Sequence, residues 1–465
     1  MEGVMNRKRQ SSAGLDVIIV GAGKVGRTLV EQLSKEGHDI TIVDQDPVKI
    51  REITNLYDIM GCVGNGASYT TQTEAGINDA DLIIAVTESD ELNLLCCTIA
   101  SQFSNCASIA RVRTPDYSKE VNYLREKLGL AMIINPELES AKEMARLLYL
   151  PTALEINSFA HGQAEIVKLR IPEGNKLDGM AIYDLGQNIT NDILICAAER
   201  DGKVTIPSGD FVLKSGDTIS FVATHKAATY FLNQIGFGTK QVKNTMIIGG
   251  GRAAYYLADQ LIRNGIEVKI IEKSRSRCEH LYELLPKAVI INGDGTDPEL
   301  LKEEGIASIE SFVPLTGIDE ENVMLSLHAK KISNAKLITK ISRSGFSDVI
   351  DTLDLGSVVY PKYITSEAIV AYVRARSASR GSSIETLYHM FDSRAEAIEF
   401  KVTEESPLTG KALRDLKLKD NLLISFIFHE GQIIIPTGND KISVGDNVMV
   451  VTTHPGFTDI SDILR

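Results

Sequence analysis

Short apolar runs recur along the chain, separated by longer stretches in which apolar residues return every three or four positions. The first run, Val17 to Val20, passes through a glycine-rich turn into such a stretch, Val25 to Leu33, and a second run, Ile40 to Val43, broken only by Thr41, follows. Four-residue apolar runs bounded by turn residues predict strands buried on both faces, and the longer periodic stretches predict helices packed over them. The alternation of strand, turn and helix calls for right-handed crossovers and a parallel sheet. The same succession begins again at Met246.

The two beginnings are copies of one pattern. The first reads VIIVGAGKVGRTLVEQLSKEGHDITIVDQD from Val17 to Asp46, and the second MIIGGGRAAYYLADQLIRNGIEVKIIEKS from Met246 to Ser274. Gly21, Gly23, Gly26 and Asp44 recur as Gly249, Gly251, Ala254 and Glu272, each shifted by 228 positions. In both copies the acid lies 18 residues after the third small residue. A single glycine fingerprint is weak, but one set twice between a strand and a helix is a strong dinucleotide-binding signal. Gly21 and Gly249 permit the sharp turn, Gly23 and Gly251 let the backbone approach a pyrophosphate, and Gly26 and Ala254 let the helix lie close to the sheet. The helix start (Ala22, Lys24 and Val25; Gly250, Arg252 and Ala253) turns amides and the positive dipole end toward phosphate. Asp44 and Glu272 are placed to accept ribose hydroxyl protons and to repel a 2′-phosphate, which favours NAD(H) or an adenine nucleotide over NADP. Gln45 and Asp46 offer that phosphate nothing, whereas Lys273 and Arg275 weaken its exclusion from the second copy. The alternative is a domain in which the glycines only turn the chain.

The repeat continues past the acid. Gly64-Asn65-Gly66 is matched by Gly293-Asp294-Gly295, Thr87 by Thr316, and Asp90-Glu91-x-Asn93 by Asp319-Glu320-x-Asn322, now at an offset of 229. These residues fall at the carboxyl ends of strands, beside the crevice where open parallel sheets bind ligands. Asn65, Thr87, Asp294 and Thr316 are therefore candidate ligand contacts. Asp90 and Asp319 are open to either a ligand or a helix-capping role, and Ser89 could cap the same helix. The next strand carries Arg111 and Arg113 on one face, where the second copy has Lys340 and Ser342. Two guanidinium groups can clamp a polyphosphate bidentately, and Lys with Ser cannot, so the first site is expected to take the more highly charged nucleotide. The arginines can instead pair with the plentiful surface carboxylates.

Pro136 and Pro361 follow a last apolar strand, and helical patterns, Ser140 to Leu150 and Ser366 to Arg376, lead out of each copy. Ser377 to Ser383 reads as a linker and a hinge. Beyond each helix lies a smaller, β-rich module, also duplicated. Ala164-Glu165 through Gly179 pairs with Ala395-Glu396 through Gly410, Ile206 to Gly209 with Ile435 to Gly438, and Gly216-Asp217 with Gly445-Asp446. The fold class is thus α/β, two Rossmann-like parallel-sheet domains each followed by a small β-rich α+β domain. The expected boundaries are a disordered tail over 1–14, nucleotide domains over 15–150 and 243–379, and small domains over 151–236 and 380–465.

Bulk composition narrows the function classes. With 43% apolar and 24% charged residues, the chain has an ordinary soluble balance. A net charge of −13 argues against general affinity for nucleic acid or anionic lipid. Leu92 to Ala110 is uncharged but rich in Ser, Asn and Gln, so it reads as a core helix and a strand start rather than a membrane span. The N-terminal segment lacks the apolar core of a signal peptide. The six cysteines form no C-x-x-C pair and no set with histidines, which points to reduced, buried thiols and no metal site.

The G-x-G-x-x-G elbow, the acid on the second strand, the G-N/D-G turn, the T-x-x-D-E-x-N segment and the R-V-R strand together resemble the RCK (TrkA-N) domain. The IP-x-G and GD turns resemble TrkA-C. Their N-C-N-C order over about residues 15 to 460 is similar to the long form of the TrkA family, cytosolic subunits of bacterial and archaeal potassium-uptake systems. The resemblance implies a cytoplasmic protein, peripheral at the inner face of the cell membrane, that binds NAD(H) and ATP or ADP. It further implies a homo-oligomer, with a tetramer expected, seated on a membrane-embedded TrkH- or TrkG-type potassium-translocating subunit. It assigns Gly21, Gly23, Gly26, Asp44, Asn65, Arg111 and Arg113 to one nucleotide site and Gly249, Gly251, Glu272 and Asp294 to another.

The rival class is an NAD-dependent oxidoreductase, which must present an acid–base group to the nicotinamide. The eight histidines are scattered, and His225 and His454 occupy matching ends of the two small modules. No Ser/Lys/Tyr arrangement with helical spacing lies near the crevice, so a sensor without catalytic residues is expected. A redox sensor acting on transcription is disfavoured by the acidic charge and the absence of a helix-turn-helix segment.

Overall fold

The computed structural model describes residues 14–237, 240–342, 347–350, 352–353, 355–377 and 382–465. The chain divides into two compact units, Met1–Pro136 and Glu137–Arg465. The N-terminal tail over residues 1–13 and the heart of the Ser377 to Ser383 linker, residues 378–381, lie outside the described residues.

The first unit is a six-stranded parallel sheet formed by β1 (Asp16–Val20), β2 (Asp39–Asp44), β3 (Met60–Val63), β4 (Leu82–Ala85), β5 (Ala107–Arg111) and β6 (Met132–Ile134). Its order is β3-β2-β1-β4-β5-β6, so the winding reverses between β1 and β4. That reversal leaves the crevice in which doubly wound sheets bind ligands. The central strands are buried on both faces: Ile19, Ile42, Ile83 and Ile84 are fully buried. Such all-apolar strands are what a parallel sheet covered by helices on both sides requires.

The second unit opens with the helix Pro136–Tyr149 and an antiparallel sheet of β7 (Glu155–Phe159), β8 (Ala164–Arg170), β9 (Ile193–Arg200), β10 (Lys203–Thr205) and β11 (Thr218–Ala223), in the order β10-β9-β11-β8-β7. A second parallel sheet follows, built from β12 (Asn244–Ile248), β13 (Glu267–Glu272), β14 (Val289–Asn292), β15 (Ser311–Pro314), β16 (Lys336–Lys340) and β17 (Ser357–Val359). Its order, β14-β13-β12-β15-β16-β17, repeats the topology of the first sheet. The last sheet holds β18 (Ser382–Met390), β19 (Ala395–Val402), β20 (Leu422–His429), β21 (Gln432–Ile434) and β22 (Asn447–Thr452). Its order β18-β19-β22-β20-β21 is that of the first antiparallel sheet read from the other edge. Both fold types expected from the sequence are present in both copies.

Two packing results go beyond the repeat. Ala141, Met144, Ala145 and Leu148 of the helix Pro136–Tyr149 join one core with Phe221 and Phe231 of the first small module and with Leu257 and Leu261 of the second parallel-sheet domain. The two antiparallel sheets also share a core: Phe159, Ile166, Cys196 and Val222 pack with Met390, Ala397, Phe426, Met449 and Val451. The two small modules thus form an interface with each other. The buried Glu399 carboxylate stitches them, accepting from the Ala160 amide at 3.2 Å and from Asn447 Nδ2 at 2.7 Å. All six cysteines are free thiols, five buried and Cys62 half-buried. Among the described residues no helix is long and apolar enough to cross a membrane.

A buried ionic joint ties the helix Pro361–Ser377 to β18 and β19. Arg374 grips Glu396 bidentately at 3.0 Å for both contacts, and His389 lies 3.4 Å from Glu367 and 3.5 Å from Glu396. Burial opposes charging both groups. Hydrogen bonds to Glu367 and Glu396 nevertheless push His389 up to about 9, and His389 with Arg374 holds Glu396 down at about 2. A raised histidine stabilises the fold fully below its unfolded pKa and loses that contribution as pH climbs through its folded value; a lowered carboxylate loses its own as pH falls. The joint should therefore contribute fully between about pH 4.5 and 6.5 and weaken from there toward pH 9. Arg374→Ala, which strands a buried carboxylate, should cost about 3 kcal/mol or more in urea melts. His389→Gln should flatten the alkaline decline in melting temperature, and an unchanged decline would contradict this role.

Candidate functional site

Each crevice starts from an elbow that only glycine can make. Gly21 has φ of 111° and Gly249 of 97°, in the region open to residues without a β-carbon. A β-carbon on Gly21 would also stand 3.0 Å from the Thr87 nitrogen, and one on Gly249 3.0 Å from the Leu315 oxygen. A β-carbon on Gly26 would fall 1.9 Å from the Gly21 oxygen, so the helix Lys24–Lys35 starts tight against the elbow. In the second copy Ala254 is accommodated and fully buried. Gly23 and Gly251 differ in kind: an added β-carbon would meet nothing within 4 Å. Their missing side chains leave open space over the helix start.

That space is electropositive. Gly23 and Gly251 are the N-caps of the helices Lys24–Lys35 and Arg252–Arg263, with no side-chain cap and no acid in the first turn. Lys24 and Arg252 stand exposed at the first helical position, while Val25 is buried and Ala253 half-buried. Uncapped amides, a helix dipole and a basic side chain at one point are the elements from which anion sites are built.

The acids flank these loops. Asp44 ends β2 and accepts from the Ala22 amide at 2.7 Å and the Asp46 amide at 2.9 Å. Glu272 ends β13 and accepts from the Gly250 amide at 2.6 Å and the Ser274 amide at 2.7 Å. Each carboxylate thereby pins the elbow to its neighbouring strand and remains half-exposed at the crevice. A β-carbon on Gly250 would strike Leu281 at 2.6 Å, whereas Ala22 is tolerated at the matching position.

The glycines of the following turn are steric. A β-carbon on Gly66 would lie 2.2 Å from Val20, and on Gly295 2.3 Å from Ile248, so the turn rests against the end of the first strand of each sheet. Between them, Asn65 is exposed and its Oδ1 accepts from the Ala67 amide at 3.0 Å. Asp294 accepts from the Thr296 amide and hydroxyl at 3.0 and 2.7 Å, and from Lys273 Nζ at 2.8 Å. Its carboxyl is held below the usual carboxylate range, first by Lys273 and then by Thr296.

On the far side of each crevice the polar residues form a brace. Asn93 is fully buried; its Oδ1 accepts from the Thr87 amide at 2.8 Å and hydroxyl at 2.7 Å, and its Nδ2 donates to the Arg111 oxygen at 2.9 Å. Asn322 repeats this on Thr316 and Lys340, at 2.9, 2.9 and 3.0 Å. Asp90 neither caps its own helix nor faces the crevice openly. It is buried and accepts from the Arg113 and Thr114 amides at 2.9 and 2.8 Å and from the Thr114 hydroxyl at 2.7 Å. Burial opposes its charge, yet these bonds hold its carboxyl below the usual range. Asp319 likewise accepts from the Ser342 amide at 2.9 Å. Ser89 supplies the cap, accepting from the Leu92 amide at 3.1 Å. The sequence left a cap and a ligand role open for Asp90, and the structure gives it a third: joining the start of a helix to the loop after β5.

Arg111 and Arg113 both turn back onto the loop after β4. Arg111 donates to the Thr87 oxygen at 2.5 Å; Arg113 donates to the Glu88 oxygen and lies 3.5 Å from Asp90. Lys340 makes the equivalent bond to the Thr316 oxygen at 2.7 Å. The first copy thus concentrates two guanidinium groups beside Thr87, where the second has one ammonium. Asn93 and Asn322 are the residues that sequence reasoning passed over as contributors; the repeated T-x-x-D-E-x-N spacing was the signal that could have found them.

Two domain families match the chain, each twice: the TrkA-N domain over residues 17–136 and 245–361, and the TrkA-C domain over residues 166–236 and 397–465. A Trk system potassium uptake protein TrkA from Haemophilus influenzae is 31% identical over 440 residues, covering 94% of this chain and 95% of that protein. A Trk system potassium uptake protein TrkA homolog from Archaeoglobus fulgidus is 31% identical, covering 97% of this chain and 100% of its own length. Among solved structures, the GsuK channel bound to NAD resembles the fold over 96% of this chain and 78% of its own, with a TM-score of 0.62 at 17% identity. The GsuK RCK domain does so over 96% and 93%, again with a TM-score of 0.62 at 17% identity.

The brace can be tested without any ligand. Asn93→Ala leaves the Thr87 amide and the Arg111 carbonyl without their partner in a buried place, so it should destabilise the first unit by about 3 kcal/mol in urea melts, and Asn322→Ala should do the same in the second. Losses below about 0.5 kcal/mol would show that the brace carries no load.

Proposed function

The chain belongs to the TrkA family of Trk system potassium uptake proteins, and we propose that it is the nucleotide-sensing regulatory subunit of such a system. In this reading it binds NAD(H) and ATP or ADP and controls a membrane-embedded, TrkH- or TrkG-type potassium-translocating subunit. It works as a homo-oligomer, a tetramer in our proposal, at the cytoplasmic face of the membrane. The domain boundaries we adopt for it are 15–150, 151–236, 243–379 and 380–465.

One observation carries the reading: each parallel sheet presents an open-faced glycine, Gly23 or Gly251, over an uncapped helix start, with a carboxylate on the next strand. A diphosphate has a place over the amides, and Asp44 or Glu272 is where a ribose would be held. That the GsuK channel was solved with NAD on a similar fold supports the assignment. We assign Gly21, Ala22, Gly23, Lys24, Val25, Gly26, Asp44, Asn65, Thr87, Arg111 and Arg113 to the first site. Gly249, Gly250, Gly251, Arg252, Ala253, Glu272, Asp294 and Thr316 form the second.

Binding rather than turnover is favoured because the polar side chains bordering the first crevice already serve the backbone. Thr87, Asn93 and Asp90 are engaged with one another's loops, and Arg111 and Arg113 with carbonyls. Regulation then follows from differential affinity: a nucleotide that binds two arrangements of the assembly unequally shifts their populations, and one that binds both equally shifts nothing. Arg111 and Arg113 are a source of such a difference, since a terminal phosphate can take guanidinium bonds now spent on the Thr87 and Glu88 carbonyls.

Calorimetric titration with NADH, NAD, ATP and ADP tests the proposal, with binding and no turnover of alcohols or hydroxy acids as the expected result. Replacing both Arg111 and Arg113 by Ala should weaken ATP about tenfold or more while leaving NADH within a few-fold, given the strength of charge-assisted bonds. Equal losses for both nucleotides would remove the case for an arginine clamp.

A further inference from the structure

The two crevices differ most beside the acid that faces the ribose. In the first, Asp44 is followed by Gln45 and by Asp46, whose carboxylate caps the helix Pro47–Leu56. In the second, Glu272 is followed by Lys273, and Lys273 Nζ is bonded to Asp294 at 2.8 Å, reaching from the end of β13 to the turn after β14. The Lys273 side chain is 79% exposed, and Asp294 is its hydrogen-bond partner. Asp294 is in turn fixed by the Thr296 amide and hydroxyl. Arg275, the other nearby cation, pairs with Glu279 at 3.3 Å along its own helix.

A cation just past the acid on the second strand is what a dinucleotide site uses to accept a 2′-phosphate. The second crevice thus owns the group that would admit such a nucleotide, but spends it on a carboxylate. We infer that Asp294, by holding Lys273 across the turn, is the residue that keeps the second crevice selective for adenine nucleotides with a free 2′-hydroxyl. The inference rests on the nucleotide-binding reading above and names the substrate class of one of its sites. The paired lysine is thereby withheld from a 2′-phosphate. The first crevice has no cation at the matching position to release, so its selectivity has no such control.

The test uses the full chain carrying Gly23→Asp. This change fits the fold, because a β-carbon at that position meets nothing, and it sets a carboxylate where the first crevice would receive phosphate. NADH and NADPH are then titrated against that chain, and against the same chain with Asp294→Asn, with Lys273→Gln, or with both. Asp294→Asn should raise the affinity for NADPH relative to NADH by about tenfold, the scale of one freed charge-assisted contact. Adding Lys273→Gln should abolish that gain. An unchanged ratio in Asp294→Asn overturns the inference while leaving nucleotide binding standing. So does a gain that survives Lys273→Gln, because lost repulsion alone would then account for it. If the Gly23→Asp chain takes up neither nucleotide while the wild-type chain binds NADH, the nucleotide reading of the second crevice itself fails, and this inference with it. Because exposed ion pairs contribute little to stability, Asp294→Asn should melt within a degree or two of its parent, and the titrations report binding rather than folding.

Discussion

Everything in each parallel-sheet domain is arranged around one steric constraint, the closeness of the elbow after the first strand to the strand beside it. Gly21 sits with its α-carbon against the Val86–Thr87 backbone, and Gly26 brings the following helix onto the Gly21 carbonyl. With no room for side chains there, the helix must start at the crevice, and its free amides must point into it. The carboxylates of Asp44 and Glu272 hold the same elbow from the other side through its amides. A helix start suited to phosphate is thus a by-product of how tightly the chain is obliged to turn. The turn glycines Gly66 and Gly295 extend the constraint by pressing the next loop onto Val20 and Ile248.

The duplication separates what builds the crevice from what faces it. The brace is the same in both copies: Thr87, Asp90 and Asn93 are matched by Thr316, Asp319 and Asn322, with bond lengths within a few tenths of an ångström. The other polar positions around the crevice differ. Gln45 is matched by Lys273, Asn65 by Asp294, Arg111 by Lys340 and Arg113 by Ser342. Such a division suits two sites with a common frame and different ligand charge, which a sensor of more than one nucleotide requires. The sheets of the small modules bury one another through Phe159, Phe426 and Met449. Two modules in one chain therefore satisfy each other's apolar faces, and the Arg374–Glu396–His389 joint fastens the helix leaving the second parallel sheet to that shared body.

Much of this was legible in the sequence, for physical reasons that can be named. The parallel sheets and the place of the crevice followed from apolar runs at regular spacing, and the elbows from glycines whose backbone angles no other residue adopts readily. What stayed hidden depends on three-dimensional reach. Asp90 could be read as a cap or a ligand because its neighbours Ser89 and Glu91 suit either; only the fold shows the Arg113 and Thr114 amides arriving beside it. Arg111 was correctly placed at a strand's end, whereas Arg113 falls in the loop just past it, and periodicity could not say that both bend back onto the Thr87 and Glu88 carbonyls. Likewise, alternation in β8 and β19 marks buried faces without saying that each covers the other. The Lys273–Asp294 pair joins residues 21 positions apart in separate turns, a match no local pattern announces.

The central claim is that two crevices, each opened by a glycine lacking a side chain, take one nucleotide apiece. The number of NADH molecules bound per chain, read by calorimetry in wild type, Gly23→Asp and Gly251→Asp, tests it most directly. The account predicts two in the wild type at saturating NADH and one in each variant, with the folded structure intact by circular dichroism. Undiminished uptake in either variant would contradict it.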